Sequence, residues 1–281
     1  MIQPAPTTSD RFSWVTGTGA RNVAFIVLVL AAVVAILSSR SKLTVTRCSC
    51  DSNIVIYLVV NDDYFELSVV MLHSLKRHLR RNHRLVVMHS DHLPNAHLSE
   101  TNRASLRAHL GVRHFWNVDA QWMNKVKLAN RKAYPALLAL AVFENKTDDI
   151  IVFLDADMLV LSDFSDIFDE LDDTHVHGSS SSWWQSYINT GMFCVTRKFL
   201  DEADRVQTLH DYVAHIRRDF KQHEGDQDII NACFPVKNHD WRTNYRPRTN
   251  DGMKNFRIVH WAGMTKPNGV RGACTTTEKP A

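Results

Sequence analysis

Between Asn53 and Gly111 the chain switches three times between two hydrophobic periods, and this alternation constrains the fold more than any other feature. "NIVIYLVV" (53–60) is apolar and β-branched, the composition of a buried strand. "ELSVVMLHSLKRHL" (66–79) has helical spacing. "RLVVMHS" (84–90) reads as a second strand and "SETNRASLRAHLG" (99–111) as a second helix, closed by Gly111. Strand, helix, strand, helix at this rhythm predicts an α/β fold, a mainly parallel sheet with helices on both faces. The pattern continues with a helix over about 124–143, which Pro135 kinks or starts late, and a third strand in "IIVFLDADMLVL" (150–161). Downstream, 189–195 and 256–261 read as strands, 197–220 and 226–234 as helices, and 177–186 as a loop carrying Trp183 and Trp184. His175 and His177 are read as loop residues too. There is no internal repeat. With 281 residues the chain has room for one sizeable α/β domain, expected over 53–270, plus appendages.

The appendages are mostly at the amino end. Residues 1–22 are rich in Pro, Thr and Ser and are expected to be disordered. Val23–Leu37 is an unbroken apolar run inside an uncharged stretch from Asn22 to Ser39. At 1.5 Å per residue that stretch just spans a hydrocarbon core of ~30 Å. A cleaved signal peptide is the competing reading, but the run begins late for one. The expectation is a single transmembrane signal anchor over 23–39, a stem over 40–52 and a tail over 271–281. Arg11 and Arg21 precede the run while Arg40, Lys42 and Arg47 follow it, so the positive-inside rule leaves the orientation open.

A net charge of +3 gives no case for nucleic acid, and the basic run "KRHLRRNHR" (76–84) reads as a solvated helix end. Cys48, Cys50, Cys194, Cys233 and Cys274 form no C-x-x-C pair. Asn145-Lys146-Thr147 is a glycosylation sequon, usable as a reporter of a lumenal domain.

The chemistry concentrates where the third strand ends. Asp155 and Asp157 stand at i and i+2, so on extended chain both carboxylates face one spot. Two such charges repel unless a cation or a proton joins them. The end of a buried strand is also where α/β proteins place functional groups. Two readings follow from the residues: a divalent-metal site, or a pair of acids in the manner of haloacid-dehalogenase phosphatases, with one Asp as nucleophile and the other as acid/base. Against the second, about a hundred residues of α/β pattern precede the motif, which normally opens its domain.

Five stretches in order over 54–267 resemble the family-8 glycosyltransferases, the group of glycogenin and galactinol synthase. "NDDY" (61–64) is similar to their uridine-binding turn, "DAD" (155–157) to their metal motif, and "NTG" (189–191) and "GDQD" (225–228) to their sugar-binding and catalytic segments. "HWAGMTKP" (260–267) is similar to their closing H-x-x-G-x-x-K-P. Two departures bear on sugar and acceptor: Asn268 stands where the family has a tryptophan, and a serine-rich loop replaces an acid ahead of "NTG".

The resemblance implies a Rossmann-like GT-A domain and a retaining hexosyltransferase that takes a UDP-sugar, UDP-glucose or UDP-galactose, to an acceptor it leaves unnamed. It implies Mn2+ held by Asp155, Asp157 and His260, and an imidazole in the set suits Mn2+ better than Mg2+. The donor-binding residues carried over are Val60, Asn61, Tyr64, Lys132, Asp155, Ala156, Asp157, Asn189, Thr190, Gly191, Gly263 and Lys266. Asp226, Gln227 and Lys266 are the catalytic set. By analogy with anchored sugar transferases the domain would be lumenal, in the Golgi or ER of a eukaryote. A protein that binds the nucleotide sugar without turning it over is the non-enzyme alternative.

Overall fold

The computed structural model describes residues 53–119, 122–123, 131–180, 187–202, 204–215, 225–239, 241–244 and 256–261. The expected tail, anchor, stem and C-terminal tail lie outside them. Among the described residues no helix is long and apolar enough to cross a membrane.

Nine strands are described. In chain order β1 is Ile54–Val59, β2 Arg84–His89, β3 His114–Asn117, β4 Ile150–Leu154, β5 Met158–Val160, β6 Val176–Ser179, β7 Asn189–Thr196, β8 Val236–Asn238 and β9 Ile258–His260. Seven form one sheet in the order β3-β2-β1-β4-β7-β6-β8, and β5 pairs with β9 in a separate ribbon. The pairs β1–β2, β2–β3, β1–β4 and β6–β8 are parallel, whereas β7 runs antiparallel to both β4 and β6. The sheet is therefore mostly parallel, with an antiparallel strand seated beside the Asp155 turn.

The apolar runs lack polar alternation because both faces of the sheet are covered. In β1, Val55 and Tyr57 enter one core while Ile54, Ile56 and Leu58 enter the other; in β4, Ile151 and Phe153 oppose Ile150, Val152 and Leu154. Helices α1 (Phe65–His78) and α2 (Glu100–Leu110) cover the second face with Met71, Leu72, Leu75, Leu106 and Leu110. Ser99 caps α2 by accepting from Asn102 N, and Gly111 ends it at φ 63°, a left-handed turn that glycine adopts without penalty. The first face is covered by the buried run Leu137–Phe143 and by α4 (Arg205–His215) and α5 (Asp226–Cys233); short α3 (Arg197–Asp201) precedes them.

Several expectations need correction. The segment around Pro135 is a 3-10 helix over Arg131–Glu144; 124–130 lie outside the described residues. The helix expected over 197–220 is two helices, and Asp204 between them has φ 72°. His177 is no loop residue: it is a buried member of β6 whose Nδ1 lies 2.7 Å from Nε2 of His239, the residue that follows neighbouring strand β8. The strand expected over 256–261 is the three-residue β9. Strands β3, β5, β6 and β8 are too short to print a period, and the sequence did not reveal them.

Asn145 also changes its meaning. Its Nδ2 donates to Tyr57 Oη at 2.5 Å and to Asp148 Oδ2 at 2.8 Å, and its Oδ1 accepts from Thr147 N at 2.8 Å and Asp148 N at 3.1 Å. The amide is buried and committed to the fold, so the folded protein has no place for a glycan there.

Candidate metal and donor site

The parallel strands β1, β2 and β4 end at the same edge, and the chain leaves β1 into Asn61 and β4 into Asp155. The Asp155 turn is held from two sides. Asp155 N donates to Gly191 O on β7 at 2.8 Å, and Trp261 N donates to Asp157 O at 3.1 Å. Between them Ala156 is buried in the apolar core under α1. Directly after the turn, β5 pairs antiparallel with β9 so that Met158 lies opposite His260. Ser74 of α1 fixes this ribbon by accepting from Val160 N at 3.0 Å. The pairing delivers His260 to the aspartates from about a hundred residues further along the chain.

His260 Nε2 lies 3.3 Å from Asp155 Oδ2 and 3.2 Å from Asp157 Oδ1. One ligand atom from each of the three residues fits within 4.8 Å of the others, the spacing of a single-ion site. Asp157 and His260 are buried, and Asp155, with 38% of its side chain exposed, opens the site to solvent. Nε2 is buried and has no hydrogen-bond partner among the described residues, because neither carboxylate is aligned to accept from it. An unmet buried imidazole nitrogen facing two carboxylates fits a divalent cation.

Gly191 is part of this fit. A Cβ built on it would stand 2.1 Å from His260 Cε1 and 2.4 Å from His260 Nδ1. The Cε1–Nδ1 edge of the ring fits against β7 only because residue 191 has no side chain. Gly225 is required for another reason: nothing lies within 4 Å of its missing Cβ, but its φ of 154° excludes side chains.

Behind the ligands stands a chain of amides. His260 Nδ1 lies 2.8 Å from Asn244 Oδ1, and Asn244 Nδ2 donates to Asn189 O at 3.2 Å and Asn189 Oδ1 at 2.9 Å. Asn189 Oδ1 also accepts from Gly191 N at 3.2 Å, while its Nδ2 donates to Gln227 Oε1 at 2.6 Å. Gln227 in turn bonds Tyr187, whose hydroxyl donates to Asp228. Asn189, read from sequence as a holder of sugar hydroxyls, is mostly occupied with orienting its neighbours. Asn244 and Tyr187 escaped sequence reasoning. "WRTNYRPR" and "SYINTG" carry no local sign that their polar residues reach this edge.

Asp226 opens α5 beside this chain. Burial, and then the nearby Asp155 charge, push its carboxyl up to about 7, although a hydrogen bond with Thr190 and two backbone amides partly offset that rise. At the end of β1, Val60 gives its N–H to Met88 O. Asn61 spends its side chain on the fold, accepting from Tyr64 N at 2.9 Å and donating to Asn95 O at 2.5 Å. Tyr64 is half-buried against the core under α1. Gly263, Lys266, Trp183, Trp184 and the side chain of Lys132 lie outside the described residues.

The sequence profile of the Rhodobacterales glycosyltransferase domain matches residues 55–192, just under half of the chain. The galactosyltransferase LgtC in complex with donor and acceptor sugar analogs superimposes with a TM-score of 0.57 at 20% identity, covering 76% of this chain and 88% of that one. The chain has a GT-A-like fold. The bifunctional glycosyltransferase WbbM shares this GT-A architecture, with a TM-score of 0.59 at 17% identity over 79% of this chain and 48% of that one. GlyE of Streptococcus pneumoniae does so at 0.53 and 16%, over 77% and 56%. At these identities the likeness is one of fold. No curated protein matches the chain.

Proposed function

We propose that this chain is a Mn2+-dependent retaining glycosyltransferase that moves a hexose from a UDP-sugar, UDP-glucose or UDP-galactose, to an acceptor. The observation that carries the reading is the buried, unpartnered His260 Nε2 facing Asp155 and Asp157 at the carboxyl end of β4. Those three side chains would hold the cation, which when bound offsets the negative charge of a departing diphosphate. Asp155, the most exposed of the three, lies on the side open to a donor.

The remaining residues act around the sugar. Asn189 holds Gln227 by its Oε1, so that one N–H of its amide meets Tyr187 and the second serves as a donor to the sugar. Asp226 sits next to it, where a carboxylate answers positive charge developing at the anomeric carbon. Charge of that kind exists mainly in the transition state, so Asp226→Asn lowers turnover far more than donor affinity. Lys266 and Gly263 supply a cation and a bare backbone to the phosphates in this reading. Val60 and Asn61, through backbone groups, and Tyr64 line the uridine side, with Lys132 as a further donor contact.

The phosphatase reading is less well supported, because the fold likeness is to sugar transferases and because a third ligand meets the two acids. A binding-only protein is disfavoured by the intact Asp226–Gln227 pair. The deciding experiment is donor hydrolysis against a panel of nucleotide sugars with Mn2+ and with chelator, and NMR of the product from an α-linked donor. Chelator-resistant turnover, or phosphate release from a generic phosphomonoester, overturns the transferase; a β-linked product overturns retention. Anchoring through 23–39 with a lumenal domain completes the proposal. Because Asn145 is buried, its test is protease digestion of sealed vesicles: a domain digested from the cytosolic side refutes it.

A further inference from the structure

We infer that Asn244 is a positioning residue that fixes the tautomer of His260, and through it the affinity of the site for a divalent cation. The inference rests on the reading of Asp155, Asp157 and His260 as cation ligands. Its own argument starts from two backbone groups whose hydrogen-bonding roles are not in question. The carbonyl of Asn189 can only accept, so the Asn244 atom 3.2 Å from it is the amide nitrogen. The N–H of Gly191 can only donate, so the Asn189 atom 3.2 Å from it is Oδ1, and this oxygen accepts from the same Asn244 nitrogen at 2.9 Å. Neither amide can be flipped without facing like against like.

With its nitrogen committed to Asn189, Asn244 turns Oδ1 toward His260 Nδ1 at 2.8 Å. An amide oxygen only accepts, so Nδ1 carries the hydrogen. In the neutral ring Nε2 then holds the lone pair, aimed at Asp155 and Asp157. This is the tautomer the two carboxylates would otherwise oppose, since the positive end of an Nε2–H would lie toward their negative charge. Asn244 therefore works against the local electrostatics of the metal-free site and holds the ring ready to ligate. A partner on the far nitrogen of a ligating histidine also raises its basicity as a ligand. Asn244 is 1% exposed and Asn189 7%, so water does not compete for these bonds.

The same geometry ties the cation site to the sugar side. Asn189 joins Asn244 to Gln227 Oε1 at 2.6 Å, so the ring of His260 and the amide of Gln227 are set by one bridge. Loss of Asn244 releases the ring first.

The test uses the full chain, stripped of metal, with long-range 15N–1H correlation of His260 and Mn2+ titration followed by electron paramagnetic resonance. In the wild type the proton is expected on Nδ1. In Asn244→Ala it is expected to move to Nε2, with Mn2+ affinity falling by ~10–100-fold while the thermal transition stays cooperative. A wild-type ring protonated on Nε2 overturns the inference without need of any variant, and so does an Asn244→Ala protein that folds and binds Mn2+ as tightly as wild type. Failure of the wild type to bind Mn2+ at all would instead refute the reading of the ligand set, and the tautomer measurement would still decide the role of Asn244.

Discussion

Strand β4 has a buried aspartate two residues before its first residue and a pair of aspartates just after its last. Asp148, at the amino end, is fully buried and fully furnished on one oxygen: Oδ2 accepts from Arg84 Nη2 at 2.5 Å, Asn145 Nδ2 at 2.8 Å and Thr147 Oγ1 at 2.9 Å. Burial pushes its carboxyl up, but those donors together outweigh it and leave the pKa below the ordinary value. At the carboxyl end, Asp155 and Asp157 face each other and an imidazole nitrogen that offers nothing in return. One end of the strand carries its own counter-charge; the other leaves room for a charge to arrive. A carboxylate held by an arginine and two further donors serves the fold, whereas two carboxylates gathered around an unpartnered imidazole nitrogen mark the place for a ligand.

The largest expected effect breaks the carboxyl end. Asp157→Asn should lower turnover by about a thousandfold or more, several kcal/mol of lost charge stabilisation. A variant that is equally active, or inactive only because it is unfolded, would erase the contrast. Next in size, Asp148→Ala should cost about 3 kcal/mol in denaturant unfolding, because it strands Arg84 and the Asn145 amide. Turnover per folded molecule should stay near wild type. A selective loss of turnover would mean that the amino end is functional after all.

Gly191→Ala comes third. The added methyl would meet the His260 ring and force it off β7, costing about 2 kcal/mol of stability and Mn2+ affinity along with it. Unchanged Mn2+ binding in this variant would mean that the ring position is not essential. The smallest effect per step is a difference in the sign of pH dependence, read as a slope per pH unit. Asp148 has a lowered pKa, so its contribution is present above the ordinary carboxylate value of 3.8 and is lost as pH falls through its folded value. The stability gap between wild type and Asp148→Asn should shrink below pH ~4. Asp226 is raised to about 7 from 3.8, so its contribution is full below 3.8 and is lost as pH rises to about 7. Metal-free protein should weaken over that interval by at most ~1.4 kcal/mol per pH unit, and Asp226→Asn should remove the slope. Thermal melts from pH 3 to 8 measure both; slopes of one sign would contradict the contrast.

What could be read from sequence was whatever a short window encodes. The strands β1, β2 and β4, the helices α1 and α2, Ser99 and Gly111 at the ends of α2, and the i, i+2 aspartates are all local patterns. Periodicity and capping act over a few residues, so a one-dimensional reading finds them. The resemblance added His260, Gly191 and Gln227 as members of motifs, but not what each one touches.

The tertiary structure decided the partners. His260 reaches Asp155 and Asp157 only because three-residue β9 pairs with three-residue β5, and strands that short carry no period. Gly191 makes room for a ring 69 positions away, and Asn244 orients that ring from 16 positions before it. Asn145 reads as a glycan acceptor in three letters, yet its amide is spent on Tyr57, 88 residues back. The sequence determined which segments would be strands and helices and where the acids would emerge, because those depend on neighbours along the chain. Which of those acids found a counter-charge, and which were left facing an open nitrogen, depended on residues brought in by pairing across the sheet, where proximity is set by packing rather than by position in sequence.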